Sequence, residues 1–219
     1  MADYGLIVFD ASPLITLAKA GELDVLLRQP LPIIIPDAVY REAANPSYDD
    51  GVRIMEWIET NQSRVRTANT RAGLQQDILL KNGVRATDLG EAAAIEVTDR
   101  FLADNPDNRV ALIYEDAGVR KRERDPRVDI FSTASFLHAM EGGGYIQSAD
   151  QILEQASQAG RNVAEQKAMH TPEPGAGLLA QFRSARTGST GLLDTTPNSL
   201  HKSPDDSSPT QGHTRGRSR

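Results

Sequence analysis

Two stretches far apart in the chain constrain its fold most: "GLIVFD" at 5–10 and "RVALIYED" at 109–116. Each is an almost unbroken apolar run that stops on an acid. A strand without alternation needs cover on both faces, which sheets provide when they are parallel and flanked by helices. The intervening sequence supplies those helices. "SPLITLAKAGELDVLL" follows the first run, with Ser12 as a natural N-cap, Pro13 at the first helical position, Leu14, Leu17 and Ala18 at helical spacing, and Gly21 as a stop. "LPIIIPDAVYREAA" repeats the plan, a short β-branched strand at Ile33–Ile35 and then a helix opened by Pro36 that contains Val39 and Glu42. "DDGVRIMEWIET" reads as a helix with Val52, Met55 and Ile58 on one side, "RVRT" as a short strand, and "AGLQQDILLKNG" as a helix ending at Gly83. "TDLGEAAAIEVTDRFLADN" carries the strongest helix pattern, "RVDIF" (127–131) reads as a further strand, and "TASFLHAME" and "SADQILEQASQAG" as closing helices. Such alternation predicts an α/β domain with a mainly parallel sheet.

Composition bounds the rest. Residues 1–160 hold the patterned elements. Over 170–219, 25 of 50 residues are Gly, Pro, Ser or Thr and large apolar residues are sparse, so 161–219 reads as a low-complexity, mostly disordered tail. Net charge is −6, and the acidic excess lies in the first 159 residues. An acidic body repels nucleic acid at long range, so binding one requires local basic patches and cations. With no cysteine, disulfides and Cys-type zinc sites are excluded. No basic-plus-apolar leader opens the sequence and no apolar run reaches the roughly 18 residues of a spanning helix, so a soluble, cytoplasmic protein with no membrane partner is expected.

In parallel sheets functional groups collect beyond the carboxyl ends of the strands. Asp10 and the pair Glu115–Asp116 stand there. Glu42 is one turn after Val39, and Glu91 precedes Ala94, Ile95 and Thr98 on one face, so both glutamates are aimed toward the domain. Each acid also has an ordinary explanation: Asp10 as a cap or turn residue, Glu42 as a solvated helix residue, Glu115 and Asp116 as loop acids, and Glu91 as the N3 partner of an Asp88 N-cap in a capping box. Taken together, crowded carboxylates repel and raise one another's pKa, and a cation relieves them. Oxygen donors without Cys or His select Mg²⁺ or Mn²⁺, ions suited to phosphodiester hydrolysis.

"IVFDASPLITLAKAGELDVL", "IIIPDAVYREA", "DLGEAAAIEV" and "ALIYEDAGVRK" occur in the order seen in PIN domains, and the chain resembles that family over roughly residues 5–147, most of all the subgroup that begins Asp-x-Ser-Pro-Leu-Ile. The resemblance implies a three-layer α/β/α sandwich. It also implies a Mg²⁺- or Mn²⁺-dependent ribonuclease, of the kind that in many bacteria is the toxin of a toxin–antitoxin pair. By the same resemblance Asp10, Glu91 and Asp116 match metal ligands, Glu42 matches the glutamate of the second motif, Ser12 supports Asp10 through its hydroxyl, and Glu115 assists. RNA as substrate, a cognate antitoxin and a homodimer through residues 49–81 are the implied partners. Tyr114 departs from the pattern, since such families often have Ser or Thr there.

Arg120, Lys121 and Arg122 in "VRKRERDPR" are candidate phosphate contacts, or else a solvated helix face with its own acids. Tyr40 and Trp57 could stack on bases, though a lone Trp on a patterned helix is more often core. Two other readings stay open. An aspartyl-phosphate phosphatase also begins on a strand-end Asp, but needs a second Asp where this chain has Ser12. A catalytically inactive PIN-like protein-interaction module would retain the acids as structure.

Overall fold

A computed structural model describes residues 3–84, 88–115, 125–163 and 172–187. Five strands, β1 (Tyr4–Phe9), β2 (Ile33–Pro36), β3 (Val65–Ala68), β4 (Arg109–Ile113) and β5 (Val128–Phe131), form one sheet in the order β3-β2-β1-β4-β5. Every neighbouring pair is parallel, with Ile7 opposite Ile33, Phe9 opposite Ile113 and Ile113 opposite Phe131. The chain steps outward from β1 to β3, then returns to the other side of β1 for β4 and β5. That reversal places a crevice beyond the carboxyl ends of β1 and β4, where parallel sheets bind ligands.

The helices are α1 (Ala11–Ala20), α2 (Asp37–Ala43), α3 (Asp49–Thr60), α4 (Arg71–Lys81), α5 (Leu89–Asp104), α6 (Thr133–Gly142), α7 (Ala149–Gln158) and α8 (Pro172–Thr187). Strand alternation sorts the two cores. Ile7, Phe9, Ile33, Ile35, Ala111, Ile113 and Phe131 face one layer, where Leu14 and Leu17 of α1, Ile54 of α3, Phe136 of α6 and Leu153 of α7 cover them. Leu6, Val8, Ile34, Val110 and Leu112 face the other, covered by Ala94, Val97, Phe101 and Leu102 of α5. The result is the three-layer α/β/α sandwich, and it explains why β1 and β4 show no alternation in sequence.

Several local expectations shift. Helix α1 begins two residues earlier than the Ser12 cap implies, with Asp10 at the N-cap position, and Gly21 ends it at φ 73° in the left-handed region that glycine tolerates best. On α3 the buried stripe is Gly51, Ile54, Trp57 and Ile58, one position off the Val52, Met55, Ile58 reading. Trp57 belongs to the core and its indole N–H donates to Asp24 Oδ1 at 3.0 Å, so it is not free to stack on a base.

The largest shift concerns the tail. Residues 172–187 form a helix that packs on the domain, with Leu178 and Phe182 fully buried. Phe182 meets Phe136 edge-on, with ring centroids 6.4 Å apart. Gln181 donates to the carbonyl of Tyr4 and accepts from its amide, which ties α8 to the first residue of β1. A 50-residue window rich in Gly, Pro, Ser and Thr hides a pair of apolar residues four apart. Residues 164–171 and 188–219, which that tail reading also covers, lie outside the described region. Among the described residues no helix is long and apolar enough to cross a membrane.

Candidate active site

Asp10 sits where β1 stops. Its amide donates to the carbonyl of Ile113 at 3.0 Å, one ladder bond beyond the strand, so its backbone is held level with the end of β4. Its side chain is almost buried, 8% exposed, at the N-cap position of α1. Burial pushes its carboxyl up to about 7. The amides of Ala11 and Ser12 pull it partly back, while the charges of Glu42 and Glu115 raise it further. Among the described residues no cation pairs with it.

The alanines Ala38, Ala72 and Ala93 form a seam that joins α2, α4 and α5, and their small side chains let the helices approach closely. This seam brings the first turn of α5 to the sheet edge. There Gly90 lies beneath both carboxylates: a Cβ on it would stand 3.4 Å from Glu42 Oε2 and 3.6 Å from Asp10 Oδ1. Both oxygens therefore lie within van der Waals reach of the same position above Gly90. Glu42 is exposed at the rim, yet the protein around its carboxyl desolvates it enough to raise its pKa. Glu91, next to Gly90 in the same turn, is 7% exposed. Asp88 makes no side-chain capping hydrogen bond and holds φ 59°, so its half of the expected capping box does not form.

Glu115 is differently placed. Its Oε1 accepts from Thr16 Oγ1 at 2.8 Å and from Thr133 Oγ1 at 2.6 Å, and its Oε2 accepts from Arg161 at 2.8 Å. Arg161 also donates to Thr16 Oγ1 at 2.9 Å and to the carbonyl of Ser12 at 3.3 Å. Thr16 is thus both donor and acceptor, closing a ring between α1, β4 and the segment after α7. Ser12 joins this ring through its backbone, and no hydrogen bond from its hydroxyl to Asp10 is made. Thr16, Thr133 and Arg161 are site residues that pattern reading does not select. Thr133 was within reach of it, because it follows β5 at the same sheet edge. Arg161 had no local signal at all.

Asp116, Arg120, Lys121 and Arg122 fall outside the described residues. Asp10, Glu42 and Glu91 gather around the start of α5, while Glu115 stands across the crevice in its own network. Among the described residues no three His, Asp or Glu side chains are close enough to share one ion. The donor set still fits a hard divalent cation in kind: its donors are oxygen only, and at Asp10 the carboxyl is nearly buried with no cation paired to it among the described residues. Mg²⁺ in particular keeps several waters and is commonly held by only one or two carboxylates.

A parallel α/β/α sandwich with an acidic crevice at its switch point defines the class. The chain belongs to the PIN-domain family, whose model matches residues 6–170. No curated protein matches it. No solved structure matches it either. PIN domains are generally nucleases and commonly use divalent metals.

Proposed function

We propose that this protein is a Mg²⁺- or Mn²⁺-dependent endoribonuclease that hydrolyses RNA phosphodiester bonds. One observation carries the reading: a nearly buried Asp10, its pKa raised to about 7 in part by the charge of Glu42, flanks the same Gly90 position as Glu42 and has no internal cation among the described residues. A divalent ion, when bound, lends Lewis acidity to phosphodiester hydrolysis. Asp10 supplies the buried oxygen that anchors such an ion, and Glu91, beside it in the first turn of α5, adds negative charge to the floor. Glu42 stands at the open rim where substrate enters. Its raised pKa suits it to take a proton from an attacking water. Asp116 is proposed as a further ligand on the family pattern. The toxin role, a cognate antitoxin and a homodimer are proposed on that pattern as well.

The test is cleavage of RNA by the full chain with Mg²⁺, with Mn²⁺ and with chelator, for wild type and Asp10→Asn. Cleavage should require the metal and vanish in the variant. Equal cleavage by folded Asp10→Asn, or cleavage that survives the chelator, overturns the proposal. The second reading, an interaction module without catalysis, is favoured by the lack of a three-residue ligand set among the described side chains. It requires that no RNA be cleaved with either ion.

A further inference from the structure

The Arg161–Glu115 pair is unusual for its place. Both side chains are largely withdrawn from solvent, 24% and 10% exposed, and they lie beside Asp10, whose carboxyl feels the charge of Glu115. Removing an ion pair from water costs about as much as the pair returns, so folding stability alone is a weak reason to keep one. The geometry offers another. Three donors occupy Glu115: two hydroxyls on Oε1 and a guanidinium on Oε2. A carboxylate so engaged keeps at most one free lone pair, on Oε2, and its charge is already offset by the guanidinium, so it is a poorer ligand for an ion than an unpaired one. Asp10, one strand away, has none of these partners.

We propose that Arg161 is a positioning residue of the acidic site: it neutralises Glu115, removes it from the ligand set, and leaves the cation to Asp10 and its neighbours around the start of α5. This inference rests on the cation-dependent reading above and specifies which acids serve it. Arg161 also joins α1 to β4 through Thr16 and the carbonyl of Ser12, so the same side chain holds the turn that carries Asp10.

The test is a double-mutant cycle read by Mn²⁺ affinity, using calorimetry on the full chain rather than activity. Arg161→Gln leaves an unmatched anion beside the site and should tighten Mn²⁺ binding roughly tenfold; Glu115→Gln leaves an unmatched cation and should weaken it by a similar factor. The double variant removes both charges and should return to within about threefold of wild type, since neither residue touches the ion. Arg161→Lys keeps the charge and should bind as wild type does. A double variant as weak as Glu115→Gln alone overturns the inference, because Glu115 is then itself a ligand. Should Arg161→Gln not fold, Glu115→Gln and the double variant decide, as neither leaves a buried anion exposed to repulsion. Failure of the underlying reading looks different: wild type and Asp10→Asn would then show no Mn²⁺ binding at all.

Discussion

Asp10 and Glu115 follow neighbouring strands, one after β1 and one after β4, and both are close to buried. Glu115 is met by two hydroxyls and a guanidinium, whereas no cation among the described residues meets Asp10. A buried carboxylate can be stabilised by a charge the chain itself provides or by one it must recruit from solution. The two strand ends illustrate both solutions a few ångströms of backbone apart. On the proposal above, the acid that the fold has already neutralised serves as scaffold and the other carries the chemistry.

Several experiments would break that contrast or sharpen it. The largest effect should come from Asp10→Asn, which should lower metal-dependent RNA cleavage by at least about 100-fold while circular dichroism stays unchanged. Next is the pH dependence of the metal-free protein. Because the folded pKa of Asp10 is about 7 against an ordinary 3.8, the folded state holds its proton more tightly than the unfolded state does. Stability from this group is therefore present below about pH 4 and is lost as pH rises toward and through 7. At about 1.4 kcal/mol per pKa unit the loss amounts to as much as roughly 4 kcal/mol. Other groups titrate too, so the measurement is the difference between wild type and Asp10→Asn in denaturant melts with chelator. Asp10→Asn should be the more stable above pH 7, and the gap should close at pH 4. A gap that does not change with pH would sink the claim that Asp10 is desolvated without an internal cation.

Thr133→Val tests the other acid. It leaves Glu115 short of one buried donor and should cost about 1–3 kcal/mol in chemical denaturation, with no change in the pH slope assigned to Asp10. The smallest effect is expected from Gly90→Ala. Its Cβ would meet Glu42 Oε2 and Asp10 Oδ1 at the close end of ordinary contact, without a clash, so stability should change by less than about 1 kcal/mol. Mn²⁺ affinity should nevertheless fall severalfold, as the methyl group intrudes beside the two oxygens. Unaltered affinity would mean that the ion sits elsewhere.

The elements most legible in the sequence were those with local causes. Strands β1 and β4 announce themselves because both faces are buried, and α5 because its apolar spacing is regular. Asp10 and Glu115 directly follow two of these strands, so their place at the carboxyl edge of a parallel sheet was legible, and Glu91 was placed by its spacing on α5. The errors have local causes as well. The α3 stripe was read one residue off because Val52 and Met55 are apolar yet only half-buried, and α8 was concealed by the composition around it.

What the sequence by itself determined was the alternation of buried strands and helices, and hence a parallel sheet with acids along its carboxyl edge. Only the tertiary structure decided which of those acids is compensated. Arg161 reaches Glu115 across 46 positions and Thr16 approaches it from 99 positions away. Hydrogen bonds at such separations depend on how α1, β4, α6 and the segment after α7 pack together, and no periodicity within any one of them encodes a contact between them.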